Sequence, residues 1–355
     1  MLSSLAVIAF HFPSYLSTPE LRNVYDVEWL RLLLFIVLQF SIATATISLI
    51  FGNKRKIALY SILLVAIAGI LGGSQVHVQT PVAQKKYFLS LDLIILDMLI
   101  MSFLYVPLER LFWLRKQRIL REGLKTDVLH YSVNHLLMGA LLYIIYIPGN
   151  KLRSLFPNIG LEDFLQDLPI FLQALLILFC ADFFQYWTHR FFHNNPSLWQ
   201  FHKVHHSVKC MDWIASSRLH IVDILITRSI SYIPIVCLGF SHEAFQLYLP
   251  LVALQAVFVH ANVRFGFGPL RYILTTPLVH HWHHSCEDEA LNKNFAVSFS
   301  CIDVVFGTFY CPKKWPNQYG LNQEKISEKF FKQLFYPFVN VAIQKKAREL
   351  DRSKS

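Results

Sequence analysis

Charge-poor apolar runs near 20 residues long recur along the chain, at Leu32–Phe51, Ile57–Gly73, Tyr87–Leu108, Leu129–Ile147 and Leu168–Trp187. About 20 apolar residues is what a helix needs to cross the hydrocarbon core of a bilayer, and a soluble core rarely calls for five such runs. Each predicts a membrane-spanning helix. Two shorter runs, Ile230–Phe240 and Ala244–Val259, are separated only by Ser241, His242 and Glu243. They predict two passes or one re-entrant hairpin, and either returns the chain to the side it left. Met1–Phe10 has no basic start and Pro13 follows without a small-residue cleavage pattern, so the opening residues are expected to be an interfacial segment, not a signal peptide. The pattern divides the chain into 1–108, with three spans, 109–311, where polar stretches alternate with apolar ones, and a polar tail, 312–355. The expected class is all-α, a multi-span transmembrane helical bundle with a histidine-rich helical cap.

Composition agrees: 54% of residues are apolar, 15% aromatic and only 16% charged. The net charge of +10 does not signify nucleic acid, because the basic residues sit in short clusters between apolar runs. Lys54, Arg55 and Lys56 follow the first span, and Arg110, Arg115, Lys116, Arg118, Arg121 and Lys125 follow the third. The alternate loops hold only Lys85, Lys86, Lys151 and Arg153, offset by Glu162 and Asp163. The positive-inside rule makes the basic loops cytoplasmic and puts the N-terminus outside. Counting spans places the 109–127 loop, the histidine-rich stretches 189–220 and 280–294, and the tail with Lys345, Lys346 and Arg348 on that same face. Asp92 and Asp97 inside the third run are expected to be paired within a bundle. The six cysteines form no CxxC pair, which argues against a zinc ribbon or a thioredoxin-type site and reads as reduced thiols.

The chemistry lies in the histidines. Positions 189–206 and 280–284 hold nine of the sixteen in the chain. His189 and His193 form HxxxH. His202, His205 and His206 form HxxHH, and His280, His283 and His284 repeat that register. On helices each set shares one face. Eight imidazoles on three faces match the needs of two metal ions, and neutral imidazole suits zinc, copper, nickel or iron. His281 points roughly 100° away from His280 and is expected to lie outside the ligand set, supporting a ligand or at the surface. Asp182 falls on one stripe with Gln185, Tyr186, His189 and His193, so it is the candidate carboxylate for a ligand's second ring N–H, with Asp223, Glu287, Asp288 and Glu289 as alternatives. A metal transporter would line a path across the bilayer, and bis-histidine haem binding would pair histidines on facing spans. Neither accounts for repeated HxxHH outside the apolar runs.

These boxes, in this order, resemble those of the fatty acid hydroxylase/sterol desaturase superfamily of membrane-bound oxygenases. The likeness covers about Asp127 to Thr308. Ser217-Arg218-Leu219-His220 resembles the histidine after the second box. Lys293-Asn294-Phe295-Ala296 with Asp303–Thr308 resembles the family's NYG and WD-x-x-FGT closing segment, except that Ile302 replaces the aromatic and Asn-Phe-Ala replaces Asn-Tyr-Gly. The resemblance implies a catalytic domain over 109–311, two irons that use O2 on a lipid C–H bond, and hydroxylation or, as the alternative, desaturation. It adds His260 as a ligand, an earlier histidine for which His130 or His135 is the candidate, and His220. The chain shows no cytochrome b5, flavin or iron–sulfur signature, so electrons are expected from a separate reductase or cytochrome. Zinc hydrolysis is the chemical alternative, but no HExxH general base accompanies the boxes.

Overall fold

The computed structural model describes residues 2–18, 26–52, 55–78, 89, 91–155, 161–322 and 326–352, with the side chains of 138–140, 142, 143, 146 and 342–352 left aside. Lys54, Lys85, Lys86 and the side chains of Lys345, Lys346 and Arg348 therefore lie outside the described residues. The described residues are helical throughout, with two isolated β-bridges and no strand. The chain divides into two compact units, residues 1–100 with 135–140, and residues 101–134 with 141–355.

The first unit contains α1 (Leu2–His11), α2 (Val27–Phe51), α3 (Arg55–Ile70) and the start of α4 (Leu91–Leu111). Asp26 caps α2 by accepting from the amides of Glu28 and Trp29. Val7, Leu34, Leu38, Ala68 and Val76 form a small core, whereas Phe40, Ile47, Leu63 and Phe51 stay exposed. An apolar helix surface of that extent is stable against lipid tails and costly in water. Asp92 accepts from the Thr18 amide and hydroxyl, and Asp97 lies 3.2 Å from His135 Nε2, so both carboxylates are paired.

The second unit carries α5 (Leu124–Leu136), α6 (Met138–Ser154), α7 (Ile170–Asn194), α8 (Pro196–His206), α9 (Ile221–Leu238), α10 (His242–His260), α11 (Pro277–His283) and α12 (Phe330–Arg352). Six helices among the described residues are long and apolar enough to cross a membrane: α2, Arg55–Gln75, α4, α7, α9 and α10. This is an all-α integral membrane protein.

Two expectations about spans change. Leu129–Ile147 is not one helix, because the chain breaks at Leu137 between α5 and α6. Polar side chains at the break turn to partners elsewhere: Asn134 donates to the Ser217 and Leu219 carbonyls. The Gly123 carbonyl accepts from Arg218 Nη2 and the Gly149 carbonyl from Cys237 Sγ. Conversely, the two short runs are full helices of 18 and 19 residues. Their apolar runs look short because Asp223, Thr227 and Ser231 occupy the inner face of α9. Gly239, with φ at 76°, ends α9 in the left-handed conformation a glycine takes freely, and Ser241 caps α10 by accepting from Ala244.

Candidate metal centre

α7 runs without a break from the apolar span into its polar end, so His189 and His193 project from the same helix that crosses the membrane. Asn195 then stops α7 and caps α8, accepting from Ser197 and Leu198 with Pro196 at the first helical position. The tight turn brings the second box back against the first. Thr276 and Pro277 start α11 in the same way, which places the third box opposite both.

Nine imidazoles converge in two groups. The nitrogens of His189, His193, His202, His206 and His283 all lie within 4.8 Å of one another, and so do those of His205, His260, His280 and His284. Eight of the nine side chains are buried and His193 is half-buried. Helical register divides each HxxHH box between the groups. His202 and His206 enter the first and His205 the second, while His283 enters the first and His280 and His284 the second.

Five of these rings have their proton placed by an acceptor. Nδ1 donates to the Phe295 carbonyl from His189 (2.7 Å), to the Arg218 carbonyl from His205 (3.2 Å), to the Ala256 carbonyl from His260 (2.7 Å) and to the Lys293 carbonyl from His283 (2.8 Å). His202 Nδ1 donates to Asp223 Oδ2 at 2.7 Å, and Asp223 Oδ1 accepts from Thr227. In each neutral ring Nε2 is then a bare lone pair. Yet His189 Nε2 faces His202 Nε2 at 2.9 Å, and His205 Nε2 faces His260 Nε2 at 3.2 Å. The buried Nε2 atoms of His193, His206 and His283 have no hydrogen-bond partner. Lone pairs at such separations repel unless a cation sits between them, so the donor set fits one metal ion in each group. Protons fit poorly: burial first, and neighbouring imidazoles next, hold His205, His206, His280 and His284 well below the usual imidazole range, while burial moves His283 to about 3.

Other histidines join neither group. His130 is placed by the Leu219 carbonyl and the Gln333 side chain, His135 by Asp97, and His220 caps α9 through Val222 while donating to Leu334. None of the three belongs to either group. Asp182 departs from its expected role too, since its carboxylate accepts from the amides of Val297, Ser298 and Phe299. It ties down the segment whose Phe295 carbonyl orients His189. The carboxylate on an imidazole is Asp223, one of the four alternatives. Its place on α9 could be inferred only by knowing that α9 packs beside α8. His281 is fully buried, accepts from Tyr319 Oη at 2.7 Å and donates toward the carbonyls of His260 and Ala261.

Asn294 and Asp303 explain the loosely matched closing segment. Asn294 bridges Val279 and Tyr310, and Asp303 accepts from Phe295, Ala296 and Thr308. The Lys293 and Phe295 carbonyls do the orienting, while the Phe295 and Ala296 side chains pack in a buried cluster with Tyr186 and Ile302. A second supporting group left no signal in the sequence: Arg121 pairs with Asp212 and Asp127, and Arg218 with Asp127 and Glu328, a buried ionic network behind the Arg218 carbonyl.

Fold and site together define a membrane protein with two all-imidazole groups, compatible with metal binding, at the histidine-bearing ends of α7 and α10. Residues 174–308 match the family model described as fatty acid hydroxylase. The chain is 34% identical over 187 residues to the ornithine lipid hydroxylase OlsE of Rhizobium tropici, which covers 51% of this chain and 56% of that protein. It is 32% identical to the human (Homo sapiens) alkylglycerol monooxygenase over 36% of this chain and 28% of the relative, and 26% identical to Methylsterol monooxygenase 1-1 of Arabidopsis thaliana over 47% and 58%. These matches support a likeness of the region 174–308 to the fatty acid hydroxylase/sterol desaturase superfamily. The chain spans little more than half the length of these relatives at most, and no solved structure matches it significantly.

Proposed function

We propose that this protein is a di-iron lipid hydroxylase, with His189, His193, His202, His206 and His283 holding one ion and His205, His260, His280 and His284 the other. The observation that carries the reading is the set of facing imidazole lone pairs, each aimed by an acceptor on its far side. Relatives that hydroxylate or mono-oxygenate lipids support the reaction class. When bound, the irons would supply O2 chemistry able to remove hydrogen from an unactivated carbon, with electrons from a separate reductase or cytochrome. Residues 109–311 would form the catalytic domain, with the centre on the cytoplasmic face.

The chain's own contribution is placement. Asp223 keeps the His202 proton on Nδ1 and raises the basicity of Nε2. A cavity of about 100 Å³ between α7, α9 and α10 reaches His189, His202, His205, His260 and His280. Leu178, Phe192, Ile224 and Val252 give it apolar walls, which favour a lipid chain over water beside the reacting carbon.

The deciding experiment is turnover of a cellular lipid extract by the purified, metal-analysed chain under isotopically labelled oxygen. Near two irons per chain, no haem band, no turnover without O2 or a reductant, and label in the product are expected. An unlabelled product lacking two hydrogens would make it a desaturase. Anaerobic turnover with zinc alone would overturn the oxygenase reading.

A further inference from the structure

The cavity that touches the histidines continues past them into the membrane-spanning part of α9, where it meets Arg228. A guanidinium inside a membrane helix is costly and marks function by default. Arg228 donates from Nη1 to Tyr232 Oη at 2.9 Å and lies over that ring, with 5.4 Å from Cζ to the centroid. Among the described residues no carboxylate forms a salt bridge with it; Asp223, the acid on the same wall, is engaged with His202 and Thr227. One turn further, Ser231 is 1% exposed, lines the same cavity, and its hydroxyl has no hydrogen-bond partner. The Tyr248 ring closes the opposite wall from α10. A cation without a salt-bridge partner among the described residues and an unsatisfied hydroxyl thus line one cavity, whose two carboxylates, Asp182 and Asp223, are engaged elsewhere.

We propose that Arg228 and Ser231 form a subsite for an anionic oxygen group, a carboxylate or phosphate, on the lipid substrate. This rests on the lipid-oxygenase reading and adds regiochemistry to it. Arg228 lies five residues beyond Asp223 on α9, about 7–8 Å deeper along the axis, and Asp223 holds a histidine of the cage. A lipid anchored there presents carbons close to its polar end to the histidines, and its tail leaves between the helices. Oxidation falls near the head of the molecule, not at the far end of the chain.

The test compares equilibrium binding of hexadecyl phosphate, hexadecanoate and hexadecanol to the full metal-loaded chain in detergent. Both anions are expected to bind at least about 10-fold tighter than the alcohol, as a charge-assisted hydrogen-bonded pair allows. Arg228→Met should bring the three within about threefold, Arg228→Lys should keep part of the preference, and Ser231→Ala should weaken the anions alone. Should Arg228→Met fail to fold, the Lys and Ala variants decide. Equal binding of all three probes by the unaltered chain, or an anion preference unchanged in these variants, overturns the subsite. A preference that depends on Arg228 in a protein that oxidises no lipid would uphold the subsite and sink the oxygenase reading instead.

Discussion

The two histidine groups share the second and third boxes and are not equivalent: the first box enters only the five-histidine group, and His260 only the other. The five-histidine group is held by a carboxylate, through His202 and Asp223, and by the carbonyls of Phe295 and Lys293 in the closing segment. The four-histidine group is aimed by the carbonyls of Arg218 and Ala256 and has no carboxylate behind it. A metal in the first would have one more donor and a more basic imidazole, so it should be held tighter and resist reduction more. The second, with fewer donors, leaves more of its metal's coordination open. The comparison teaches that register within an HxxHH box divides its imidazoles between two groups, while the acceptors behind them differ from one group to the other.

Removing a ligand should have the largest effect. His283→Ala is expected to weaken metal binding in the five-histidine group and His280→Ala, more strongly, in the four-histidine group, each lowering metal from two toward one per chain. Lipid turnover should fall by more than the roughly 100-fold that bounds loss of a supporting partner. Metal analysis of both variants tests the partition, and loss of both ions from either would show one shared site.

Asp223→Asn comes next. It should weaken metal at the five-histidine group by about 10–100-fold and spare the other. A chelator titration showing two equally weakened sites would erase the proposed asymmetry.

Asp182→Asn should act on stability. Replacing a buried acceptor of three amides is expected to cost about 1–3 kcal/mol, read as a lower melting temperature, with both metals retained.

The smallest effects belong to histidines outside both groups. Burial lowers His130 to about 4 from an ordinary 6.5, so the unfolded chain binds its proton first as pH falls. The stability this neutral ring contributes is complete above pH 6.5 and is lost as pH falls toward 4. His130→Gln should therefore flatten the fall in melting temperature across that window and leave metal content unchanged. His135→Ala should also retain both metals.

Much of this was legible in residues alone. Four of the five apolar runs announced spans because lipid demands long uninterrupted hydrophobic segments, and three boxes announced a candidate metal centre because helical period puts i, i+3 and i+4 on one face. The break at Leu137 was not legible, since it follows from what Asn134 finds across the fold. Nor were the lengths of α9 and α10, whose inner faces carry polar residues for a cavity that only packing creates. Asp182 satisfied the spacing expected of a ligand's partner yet turned to a loop 115 residues away, while Asp223 took that place from a neighbouring helix.

By itself, then, the sequence determined the class of molecule and the eight box histidines that come together, because period and composition are local properties. Only the tertiary structure decided that His260 completes a second group, that His130, His135 and His220 stand apart, and that each HxxHH box is divided between two groups. Those outcomes depend on which carbonyls and carboxylates lie behind each ring, and such neighbours are distant along the chain.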